Sequence, residues 1–135
     1  MNTSRAVLAA AVVANMLGWV LPAAADVAGY RAFGLSLSPL WAYAEFDDEP
    51  IWFLGLMVGS ALTNLLFVVL AVQLFRGRAS KPVLWLAAAA TLLNMHWVFT
   101  MEADRRYLAS GYFIWVCSFA LLALAAFMQV RAPRR

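Results

Sequence analysis

The sequence predicts an all-α integral membrane protein: a four-helix bundle threaded up-down-up-down through the bilayer, with both termini cytoplasmic. Two observations carry that prediction. First, apolar runs at about residues 6–25, 51–75, 82–101 and 108–130 are each long enough, at about 1.5 Å per residue, to cross ~30 Å of hydrocarbon. Second, the charges between the runs sort by sign. All 7 carboxylates lie in two connecting segments: Asp26, Glu45, Asp47, Asp48 and Glu49 in the first, Glu102 and Asp104 in the second. Arg5, Arg76, Arg78, Lys81, Arg131, Arg134 and Arg135 flank the opposite ends of the runs, the side on which Lys and Arg stay cytoplasmic.

Composition agrees with this reading. The chain is 65% hydrophobic and 13% charged, with a mean hydropathy of +0.79. So short a soluble domain could bury only about two-thirds of the surface its unfolded chain exposes, so lipid must cover the rest. The net charge of +3 arises from basic residues at helix ends, which points to membrane orientation and not to nucleic acid. The single cysteine, Cys117, lies within the fourth run and has no partner for an intramolecular disulfide.

The chain therefore forms one transmembrane domain, residues 1–135, expected as a multi-pass protein of the bacterial cytoplasmic membrane. The first run also has the look of a secretory signal, with Arg5 ahead of an Ala-rich stretch and Ala23-Ala24-Ala25 before Asp26. It is expected to remain as the first span. The external loop, 26–50, carries Trp41, Tyr43 and Phe46, rings suited to the headgroup level, and Ser38-Pro39 is placed to open an interfacial helix or turn over 39–46. Pro50 after an acidic run begins the second span, and Ser80 with Pro82 begins the third. The turns at 76–81 and 102–107 are short, so spans two to four are expected as antiparallel neighbours.

Polar side chains inside the runs must find partners in lipid, which turns them inward. Asn15, Asn64, Asn94 and Ser118 sit at similar depth, one per span. Ser60, Thr63 and Asn64 share a small and polar stripe with Gly55 and Gly59, a GxxxG pair, and Gly18 lies on the matching stripe of the first span. These glycines are expected at helix–helix contacts.

His96, the only histidine, stands two positions from Asn94, a rotation of about 200° on a helix. With Asn94 inward, His96 is expected to face away from the bundle, toward a partner or ligand, with Trp97 and Thr100 beside it. One histidine supplies one ligand, so neither metal nor other cofactor is expected. The acidic run 45–49 lacks the spacing of a calcium loop, and no HExxH, GxSxG, P-loop, GxGxxG or CxxC is present.

The function expected from these residues is non-enzymatic: binding to another membrane protein, or self-association, as an accessory subunit or assembly factor. The alternatives are a small oligomeric transporter or channel lined by Asn and Thr, and a protein protecting against a membrane-active toxin.

Overall fold

The computed structural model describes residues 3–42, 48–100 and 106–132. In chain order it contains α1 (Thr3–Val20), β1 (Pro22–Ala24), β2 (Val27–Ala28), α2 (Gly29–Leu37), α3 (Ile51–Phe75), α4 (Lys81–Asn94), α5 (His96–Thr100) and α6 (Ser110–Arg131). Four helices are long and apolar enough to cross a membrane: α1, α3, α6, and α4 with α5 taken together as Lys81–Thr100.

Local chemistry explains most of the helix ends. Pro22 disfavours helical geometry at Leu21, so α1 stops at Val20, several residues short of the expected boundary. At the end of α3, Gly77 takes φ +69. The N–H of Arg78 bonds Gln73 O at 2.9 Å and that of Gly77 bonds Leu74 O at 3.0 Å, a Schellman closure that satisfies the last carbonyls. Ser80 Oγ then accepts from the Val83 N–H at 3.5 Å, with Pro82 in the first turn, and α4 begins.

Residue pairings give the sense of neighbouring helices. Asn15 meets Ser118 and, further along α1, Gly18 meets Trp115, which is earlier in α6. The third span pairs with α3 in the same reversed way, Thr63 with Asn94 and Ser60 with Trp97. By contrast, Asn64 with Trp115 and Phe67 with Phe119 keep chain order in both α3 and α6.

The apolar core lies toward one end. Leu8 and Ala11 of α1, Leu70 and Leu74 of α3, Ala87 of α4, and Phe119, Leu122 and Ala125 of α6 are buried there together. That is the end bearing Arg5, Arg76, Arg78, Lys81 and Arg131. Phe67 and Phe119 close the cluster edge to face, with ring centroids 5.1 Å apart.

The other end departs from expectation. The segment after α1 is a two-stranded antiparallel hairpin, with Ala25 at φ 47 in its turn. Ala25 N–H bonds Tyr107 O at 2.6 Å, and Ala109 N–H bonds Ala23 O at 3.0 Å, tying the hairpin to the start of α6. Among the described residues the loop also holds an α-helix that was not expected, α2, ahead of the helix or turn expected over 39–46. Ser38-Pro39-Leu40 form only a 3-10 turn at its end, with Trp41 following and exposed. Tyr43 and Phe46 lie outside the described residues. The reason is tertiary: α2 has no side-chain cap, but its Phe33 packs on Trp19 with centroids 5.0 Å apart, and Gly29 lies against the Gly18 carbonyl, where a Cβ would collide.

Candidate functional site

Between the packed end and the hairpin, the inward polar side chains pair with one another. Asn15 Nδ2 donates to Ser118 Oγ at 3.1 Å, and Ser118 Oγ donates to Trp115 O at 2.6 Å. The indole N–H of Trp115 donates to Asn64 Oδ1 at 2.8 Å. An indole N–H is only a donor, so the atom facing it must be the amide oxygen, and this settles the orientation of the Asn64 side chain. Its Nδ2 then donates one hydrogen to Ala61 O at 3.0 Å. Asn94, fully buried, donates to Thr63 Oγ1 at 2.9 Å, and Thr63 donates back along its own helix to Ser60 O at 2.5 Å. Tyr112 OH donates to the Asn94 carbonyl at 2.8 Å, where α4 ends.

Of the glycines expected at helix contacts, Gly18 is pressed on Trp115: a Cβ there would lie 2.7 Å from Trp115 Cβ. Gly59 meets only Leu93, whose Cδ2 would be 3.5 Å from an added Cβ. Gly55 is exposed and has no neighbour within 4 Å of that position among the described residues. Gly111, not anticipated, takes a tight contact instead, 2.5 Å from Pro22 O by the same measure.

His96 does not face away from the bundle. It is buried, its Nδ1 donates to Leu93 O at 2.6 Å, and its ring sits 4.7 Å from that of Trp97. A rotation of about 200° between the two holds only along an unbroken helix, and the chain breaks at Met95, whose N–H is shared between Thr91 O and Leu92 O. With the proton on Nδ1, His96 Nε2 is a buried acceptor without a hydrogen-bond partner among the described residues. Thr100 Oγ1 bonds the His96 carbonyl at 3.1 Å, while Trp97 turns toward α3, its N–H reaching Ser60 Oγ at 3.4 Å and its ring meeting Phe53 edge to face at 5.8 Å.

Above this polar layer, α2 and the hairpin roof a cleft of about 220 Å³. Trp19, Phe33, Tyr112, Trp115 and Trp97 supply its aromatic walls, Ala32, Met57 and Ala61 its aliphatic surface, and Ser60 and Asn64 its polar floor. A mostly apolar hollow with a few converging polar groups is the usual form of a small-molecule site. The sequence showed the aromatic residues at the start of α6 and the polar stripe of α3 but not that a folded-back α2 would enclose the space between them. No family model, curated protein or solved structure matches this chain.

Proposed function

We propose that this chain is a small non-enzymatic multi-pass protein of a bacterial cytoplasmic membrane, threaded up-down-up-down with both termini in the cytoplasm, that binds another membrane protein as an accessory subunit or assembly factor. The sign-sorted charges support the orientation, and the reversed residue order between neighbouring helices supports the alternation.

The observation that carries partner binding is the notch at Gly55. Gly18, Gly29 and Gly111 each lie where backbone approaches too closely for a side chain, whereas Gly55 opens outward on α3 beside exposed Ile51, Trp52 and Leu62. Helices associate in lipid through close packing, since hydrocarbon gives no hydrophobic drive between them, and a small-residue notch lets a partner backbone come near.

Gly55→Leu fills the notch, where an added Cβ has no neighbour within 4 Å among the described residues. In mild detergent, the wild-type chain is expected to migrate with a second membrane protein, and the Gly55→Leu chain alone, with equal thermal stability. A wild-type chain that migrates as a lone monomer would sink the proposal. Disulfide-linked pairs of a Gly55→Cys chain, made with Cys117→Ser, would assign the notch to self-association instead.

A further inference from the structure

We propose that the cleft beneath α2 binds a lipid-soluble molecule built on a flat conjugated ring that carries a carbonyl oxygen, of the quinone class, with that oxygen on the Asn64 amide. This goes beyond the partner-binding reading and does not depend on it.

Three features of the cleft select this chemistry. The volume of about 220 Å³ is below the ~300–1,000 Å³ of sites for drug-sized ligands, so it suits a small ring system. The walls are aromatic on several sides, with Phe33 from the roof, Trp19 from α1 and Tyr112 and Trp115 from α6, and flat π systems pack well on such rings. The floor is a donor. Asn64 Nδ2 carries two hydrogens, and only the bond to Ala61 O uses one of them among the described residues. Trp97 N–H, held only at 3.4 Å by Ser60 Oγ, is a second donor on the same cleft.

A saturated acyl chain fits this arrangement poorly. It would leave the second Asn64 N–H buried without an acceptor, a loss that a carbonyl oxygen avoids. An ammonium group fits no better, because it has no lone pair to take the second Asn64 N–H.

The test uses the full chain in lipid nanodiscs, titrated with a short-tailed benzoquinone. The readout is quenching of tryptophan fluorescence, since Trp19, Trp97 and Trp115 all line the cleft. Saturable quenching is expected above the linear background of quinone dissolved in lipid. Ala61→Phe, which fills the cleft, is expected to abolish the saturable component. Asn64→Leu should weaken binding about threefold to tenfold, as loss of one hydrogen bond does. Both variants alter the bundle interior, so competition on the unmodified chain decides independently: a saturated ring hydrocarbon of the same size should fail to displace the quinone. Quenching that stays linear, or loss of the saturable component when the hydrocarbon is added, would overturn the proposal.

Discussion

Gly18 of α1 and Trp115 of α6 meet backbone to backbone: a methyl group on Gly18 would lie 2.7 Å from Trp115 Cβ and 3.0 Å from its Cα. This approach allows Asn15 to reach Ser118 one turn away, and it holds the Trp115 indole where its N–H meets Asn64. This close approach of α1 and α6 therefore also anchors the polar layer under the cleft.

Gly18→Val should force α1 off α6 and cost about 1–3 kcal/mol, the usual range for overpacking. Gly55→Ala, placed in open space on the same kind of apolar helix, should leave stability unchanged or raise it by up to about 1 kcal/mol. Thermal unfolding of the two purified variants, side by side in one detergent, checks the pair. Equal melting temperatures would contradict the contact at Gly18.

Asn64 and Trp115 should behave as a coupled unit. Asn64→Leu leaves the buried indole N–H without its acceptor, and Trp115→Phe leaves the amide oxygen without its donor, so each single change should cost about 1 kcal/mol or more. The double variant should cost less than the two added together. A double-mutant cycle measures the difference, and a coupling of about 0.6 kcal/mol is the average for hydrogen bonds between helices in lipid. Strict additivity would show that the 2.8 Å contact contributes nothing.

The two turns hold opposite backbone opportunities. Ala25 sits at φ 47, where a side chain is strained, so Ala25→Gly should raise stability by several tenths of a kcal/mol to about 1 kcal/mol. Gly77 sits at φ +69 in the Schellman closure, so Gly77→Ala should lower it by about 1–2 kcal/mol. Unfolding midpoints in a denaturant titration are expected to move in opposite directions. A shift of the same sign in both would count against the two turn conformations.

The helices were legible because each rests on a sum along the chain. The 25 residues from Ile51 to Phe75 carry no charge and are mostly apolar, and the Arg-Gly-Arg stop and the Ser80 with Pro82 start are local signals read within a few residues. The inward turn of Asn15, Asn64, Asn94 and Ser118 was legible for a related reason: an amide or hydroxyl in hydrocarbon has few choices. The facing of His96 was not. A single-residue break at Met95 changes every rotation beyond it, and nothing in the run from Leu92 to Trp97 signals a break.

The loop shows the same limit. Ser38-Pro39 opens a 3-10 turn, one of the two forms expected there, but α2 ahead of it was not foreseen, because it rests on Phe33 finding Trp19 and Gly29 fitting against Gly18. Those contacts join residues far enough apart that no local window contains both sides.

By itself the sequence determined the number of apolar helices, their approximate limits and the sign of charge at their ends. Each of these depends on hydrophobic content and charge added up over neighbouring residues. Only the tertiary structure decided that one end of the bundle packs its apolar core around Phe119 and Leu122 while the other holds an aromatic cleft. Its floor depends on Asn64 meeting Trp115 and Asn15 meeting Ser118, pairs 51 and 103 residues apart, and such meetings follow from how closely two backbones approach.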